Sequence, residues 1–250
     1  MKKTCLFISM LLVAELTITA AWAGEKTYSD IGLHISTDSP NVYARLLLID
    51  SQGNKTGYDP SIGSEVSQIP QSQAFKERID DDETGELGVE GYNVGVGDPI
   101  AGEYALYVIG NNVSIYLLSI KMSDTDKYSK IQESIFEGVT ATGMVSKFKI
   151  TYDPTPGSKS TVVRVATIQS TRQDITLSYN VGWITNAGIV KSLIAKLDAA
   201  ESAINRVQKK TTANQLNAFI NEVKAQSTFH IKPECAEMLI KDAEYILGHL

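Results

Sequence analysis

The chain has 250 residues, 43% of them hydrophobic and 21% charged, with a formal net charge of −6 at pH 7. That length allows one large domain or two modest ones, with cores that form without covalent staples. The acidic balance, with no basic run to reverse it, excludes nucleic acid and anionic lipid as electrostatic partners.

The first element is a leader. Lys2 and Lys3 give a positive start, Leu6 to Ala14 is a largely apolar core, and Ala21-Trp22-Ala23 is a small-x-small cleavage site before Gly24. This predicts a signal peptide over residues 1–23 and an exported protein, secreted or periplasmic. The apolar run is too short for an anchor and is interrupted by Glu15, and no later run is long enough to span a bilayer. Removing the leader removes Cys5, so Cys235 is the only thiol left and no internal disulfide forms. Cys235 reads as a small buried residue on a helix.

From residue 24 to 182 the pattern is short runs of Val, Ile and Tyr broken by Gly, Pro, Asn and Asp. Strands are expected at Gly32–Ser36, at 42–49 (apolar apart from Arg45), at Tyr104–Ile109 and at Ile115–Ile120. Asn111-Asn112 reads as a hairpin turn joining the last two. In 144–152, Met144, Phe148, Ile150 and Tyr152 alternate with Lys147 and Lys149, the period of a half-buried strand. Val162–Ile168 is a further strand. At 175–181, Ile175, Leu177, Tyr179 and Val181 alternate with Thr176, Ser178 and Asn180 in the same way. Residues 59–100, with Pro60, Pro70, Pro99 and many glycines, read as a long surface excursion. Seven or so short strands predict an antiparallel β-sandwich.

Near Trp183 the period changes. Val190, Leu193, Ile194, Leu197, Ala200, Ile204 and Val207 form a helical stripe that Asn186 caps. Thr212 and Gln215 read as a capping box for a second helix carrying Leu216, Phe219, Ile220 and Val223 inward. Pro233 opens a third, with Ala236, Leu239, Ile240, Ala243 and Leu247 inward. The expected fold class is therefore α+β: a signal peptide at 1–23, a sandwich at 24–182 and a three-helix bundle at 183–250.

No catalytic constellation is legible. His34, His230 and His249 are scattered, and there is no nucleophile elbow, zinc spacing or phosphate-binding loop. His230 and Cys235 are near in sequence, yet no third group orients them. The expectation is a protein that is not an enzyme. The sharpest metal candidate is the acidic run Asp80, Asp81, Asp82 and Glu83, with Glu86 close by and Asp50 and Asp59 near enough to join. Clustered carboxylates suit calcium, although the spacing is not that of an EF-hand, and a solvated acidic loop is the alternative. Tyrosines could instead mark glycan binding, with Tyr58 and Tyr92, in turn-rich segments, the expected exposed pair; most of the others fit strand packing.

Two stretches resemble known families. Asn186-Ala187-Gly188-Ile189, Asn214 to Val223, and Ala236 through Leu239-Ile240, Asp242-Ala243 and Tyr245-Ile246-Leu247 resemble the FIMAH domain, a module near the C-terminus of assorted secreted bacterial proteins. The resemblance covers about 184–247; it departs at Cys235-Ala236, where the family often has two small residues. Pro99, Gly102, Tyr104, Leu106, Val108 and Gly110, then Tyr116, Leu118 and Ile120, are similar to the paired central strands of pre-peptidase C-terminal sandwich domains. Leu46–Asp50, Gly53 and Thr56 to Pro60 are similar to the early hairpin of that family. Both resemblances imply accessory modules. The implied role is binding or docking, with a protein or a glycan at the cell surface as partner.

Overall fold

The computed structural model describes residues 29–39, 41, 44–78, 88–126 and 131–250. The expected signal peptide lies outside the described residues. The chain forms eleven strands and then four helices: β1 (Asp30–Thr37), β2 (Ala44–Ile49), β3 (Lys55–Asp59), β4 (Ser64–Ser67), β5 (Ser72–Arg78), β6 (Glu90–Gly97), β7 (Gly102–Gly110), β8 (Ser114–Ser123), β9 (Gln132–Thr140), β10 (Val145–Tyr152) and β11 (Thr161–Val165), followed by α1 (Ile168–Asn180), α2 (Ala187–Asn205), α3 (Lys209–Gln226) and α4 (Pro233–Gly248).

The strands make two antiparallel sheets, ordered β5-β6-β1-β8-β9 and β11-β10-β7-β2-β3-β4. Alternation drives the packing: every second residue of β8 and of β10 is buried. The inward faces meet in one core of Ile31, Leu33, Leu48, Tyr92, Leu106, Leu118, Phe148, Ile150 and their neighbours. Tyrosines at the rim of this core keep their hydroxyls satisfied. Tyr104 donates to the Ile100 carbonyl at 2.8 Å and Tyr152 to the Ser123 carbonyl at 2.7 Å.

Several expectations need correcting. Residues 59–100 are not an excursion, since they hold β4, β5 and β6. β6 lies between β5 and β1 and pairs with both. Its glycines and Asn93 hid the alternation. Gly91 has a physical reason: a Cβ there would come within 2.4 Å of the His34 ring. Asn111-Asn112 does not close a hairpin either. β7 pairs with β2 and β10, whereas β8 pairs with β1 and β9 in the other sheet, so the turn carries the chain across the sandwich.

Residues 175–181 are not a strand but the end of helix α1. The inward face of α1 carries Ile168, Thr171, Asp174, Ile175 and Ser178 at helical spacing. Because three of those five residues are polar, the hydrophobic period was invisible, and the accidental alternation after Ile175 imitated a strand. Thr167 caps α1 through a reciprocal box with Ser170. The helical unit thus has four helices rather than three.

Asn186 caps α2 as expected, accepting from the Gly188 N–H at 2.8 Å. Ile204 and Val207 fall outside its stripe and are exposed, and Ala203 is buried instead. Thr212 is not a cap: α3 starts at Lys209, and the Thr212 hydroxyl is buried one turn inside, bonded to the Gln208 carbonyl at 3.2 Å. A three-residue link precedes α3, and in it Val207 takes a φ of +56°. Pro233 occupies the first turn of α4 as expected.

The helices close over one side of the sandwich. Val139 of β9, with Ala166 and Ile168, belongs to the helical core alongside Trp183, Leu193, Leu216, Phe219 and Leu239. α1 and α4 pack on β9, and α4 also on β11, the edge strands of the two sheets. Edge strands expose unpaired backbone groups, and a helix laid over them covers part of that liability.

Candidate functional site: the cleft between the ninth strand and the last helix

Under the helices lies a buried ionic trio. Arg164 projects from β11 into the seam. One guanidinium nitrogen donates to Asp174 of α1 at 2.8 Å, and the other donates to both carboxylate oxygens of Asp242 of α4. All three side chains are buried. Removing such ions from water costs several kcal/mol each, and good mutual geometry is what offsets it. Burial pushes the Asp174 carboxyl up to about 7, with Arg164 pulling it down and Asp242 pushing it further up. A protonated Asp174 leaves the guanidinium matched one to one by Asp242. Burial alone would lower the Arg164 guanidinium, and the two carboxylates more than offset it, so the arginine stays firmly charged.

Sequence reasoning missed this trio, although signals were present. Asp242 sits on the inward stripe of α4 with Leu239, Ala243 and Ile246, a charge on an apolar helix face. Arg164 interrupts a run of valines in β11. Each is costly unless paired, so each implied a partner.

Above the trio the surface opens into a cleft of about 160 Å³ between β9 and α4, with Ile135, Phe136 and Met238 as apolar walls and Arg164 below. Phe136 is wedged edge-on against Phe148, ring centroids 4.9 Å apart, with the Lys241 ammonium 5.6 Å from its ring. Glu137, Glu234 and Glu237 rim the opening. Lys241 pairs with Glu237 at 2.6 Å. Desolvation raises the Glu137 carboxyl, and the charges of Glu234 and Glu237 raise it further against the pull of Lys232. On the other flank of α4, a groove of about 470 Å³ runs between its first turns and the end of α3, past Lys224, Ala236, Ile240 and Glu244.

The residues singled out from the sequence lie elsewhere. The acidic run Asp80, Asp81, Asp82 and Glu83, with Glu86, lies outside the described residues. Asp50 and Asp59 are described, and each is committed to its own turn. Asp50 accepts from the backbone of Gln52 and Asn54, both at 2.9 Å, and from the Asn54 side chain. Asp59 accepts from Ser61 and pairs with Lys55 at 2.7 Å, contacts that lower its carboxyl to about 2. Among the described residues no three His, Cys, Asp or Glu side chains gather as a metal set.

The expected exposed pair of tyrosines fails at Tyr92, which is buried with its hydroxyl on Glu65. Tyr58 is half-buried under Arg45, whose guanidinium carbon lies 4.3 Å from the ring centre. Cys235 is buried on α4, as expected, and burial pushes its thiol up to about 12, far from a nucleophile. The histidines are dispersed: His34 bonds Asn93 at 2.9 Å, His230 meets Thr185, and His249 stacks on Tyr245.

These features define an α+β protein: a two-sheet antiparallel sandwich whose edge strands are packed under a helical unit. The helical unit is of FIMAH type, since residues 168–248 match the FIMAH domain model. The match begins at the first residue of α1, so the first helix belongs to it as well. No curated protein and no solved structure matches the chain. No helix among the described residues is long and apolar enough to cross a membrane.

Proposed function

We propose that this is an exported, non-catalytic binding protein, in which the sandwich is the ligand-binding module and the FIMAH unit the docking module for a protein at the cell surface. The observation that carries the reading is how α4 is used. Its inward face is spent on the helical core and on Arg164, while both outer flanks carry open, partly apolar depressions. Open grooves with apolar walls and charged rims suit polypeptide recognition better than enclosure of a small molecule.

The test uses the full chain in cells that make it. A photo-crosslinking residue at Glu244, on the rim of the α3–α4 groove, is expected to yield one defined adduct. The same residue at Ile62, on the exposed β3–β4 turn, is expected to yield none. No adduct from position 244, or the same adducts from both, would overturn the docking face. Cell fractionation tests export: recovery outside the cytoplasm with Gly24 as first residue supports it, and retention inside with Met1 or Lys2 first removes it.

A further inference from the structure

β9 is an edge strand whose two ends are treated differently. It pairs with β8 along its whole length, from Gln132 to Thr140. On its other side, Gly138, Val139 and Thr140 are buried under α1 and α4. The preceding residues are covered on one face only, where Gln132, Ser134 and Phe136 are half-buried and the Gln132 side chain meets Ser158 and Ser160; on the other, Ile131 is 60% and Ile135 45% exposed, and Glu133 and Glu137 are exposed. Among the described residues no backbone group of 131–137 bonds to anything beyond β8. A row of free amides and carbonyls, flanked by large apolar side chains, is a template for one more strand.

The charges select the occupant. Glu137 and Glu234 have no ion-pair partner among the described residues. They face each other across the cleft, where the charge of Glu234 raises the Glu137 carboxyl. A second copy of this chain pairing edge to edge would add Glu133 and Glu137 to the same repulsion. A cationic strand removes it. The cleft floor supplies one more contact: the Arg164 side chain is only 7% exposed, and its Nε–H has no partner among the described residues. A carbonyl at the inner end of an entering segment would accept that hydrogen.

We propose that the free edge of β9, from Ile131 to Glu137, takes up an extended segment of a partner polypeptide in which apolar residues alternate with Lys or Arg. Backbone pairing to β9 supplies the affinity. The apolar side chains lie on the Phe136 face of the sheet, and the basic ones, on the opposite face, meet Glu137 and Glu234. The inference rests on the reading of the protein as a binding module and names the chemistry of its partner.

The probe is a short, fluorescent, capped peptide of alternating valine and lysine, added to the full chain and followed by anisotropy. It is expected to bind, and the double variant Glu137→Gln/Glu234→Gln is expected to weaken it about tenfold, the scale of losing charge pairs at a partly exposed rim. N-methylation of the peptide on the edge that pairs with β9 is expected to abolish binding. A glutamate–valine peptide of the same pattern is expected not to bind. Both variant positions are exposed, so circular dichroism should show an unchanged fold. Unchanged binding after N-methylation overturns strand addition, and unchanged binding to the double variant overturns the role of the acids. If no lysine peptide binds while the position-244 adduct persists, this inference fails and the broader docking reading stands. A mass that rises with concentration in the absence of peptide would make a second copy the occupant and overturn the cationic partner.

Discussion

The sandwich and the helical unit solve the same burial problem with different materials. The sandwich core is built from aliphatic and aromatic side chains, and its polar tips reach carbonyls at the rim. The helical unit also has an apolar core, but α1 turns a polar face inward, and the carboxylate on that face, Asp174, accepts from an arginine of the sandwich. A helix with Asp174 at its centre cannot bury itself against other helices alone, because the buried carboxyl needs a partner that they do not supply. The two units differ in sequence period, yet the physical seam between them runs through Arg164.

The sharpest way to break this comparison is to remove the shared cation. Arg164→Met leaves two buried carboxyls facing each other and should cost about 3–5 kcal/mol, read by chemical denaturation. Replacing the whole trio, Arg164→Met with Asp174→Leu and Asp242→Leu, should recover most of that loss. If Arg164→Met alone is neutral, the trio does not hold the seam.

Core truncations come next. Leu106→Ala in the sandwich and Leu197→Ala in the helices should each cost about 2–5 kcal/mol. Both should shift one common transition. Two separate transitions would show that the units unfold independently.

A third test is pH. Asp174 has a folded value of about 7, against 3.8 for an ordinary aspartate. Between those values the folded state holds a proton that the unfolded chain has released, so stability should fall as pH rises from about 4 to 7 and then level off. Arg164, Asp242, Tyr116 and Cys235 are the polar and charged groups around it, and Asp174→Asn should flatten the slope. An unchanged slope in that variant would assign the dependence to other groups.

The smallest effects are local. Asn186→Ala should lose about 1 kcal/mol with its cap. Val207→Gly should gain about 1 kcal/mol, because an exposed β-branched residue at positive φ is strained where glycine is not. A loss on that substitution would mean that the link between α2 and α3 does not hold its turn.

Legibility followed from the same contrast. Strands whose neighbours lie on one apolar face were readable, such as β10 and β8, and so were α2 to α4, whose inward stripes are mostly apolar even with Thr212 in α3 and Asp242 in α4. Where polar residues and glycines outnumbered the apolar ones, the reading failed. β6 carries Asn93 and three glycines, and α1 carries Thr171, Asp174 and Ser178, so neither showed its period. Turn chemistry gave the place of the bend at Asn111-Asn112 but not where the chain went afterwards, since a bend within a sheet and a bend between sheets use the same residues. The cleft was illegible for a further reason: Ile135, Glu137, Glu234 and Arg164 meet only because the helices return to β9, and no local pattern records that return.

That bend between sheets has a consequence for how the chain reaches its fold. β1, β5, β6, β8 and β9 form one sheet and the rest form the other, so the chain passes between sheets repeatedly, and neither layer can finish ahead of its partner. Four of the nine ladders in the described residues join strands far apart in sequence, β1 with β8 and β2 with β7 among them. Large loops must close before those contacts form, which places the sandwich among slow folders, on the order of milliseconds to seconds. Helix formation itself takes on the order of microseconds, so closing the sandwich, which brings Arg164 to α1, sets the pace for the whole chain.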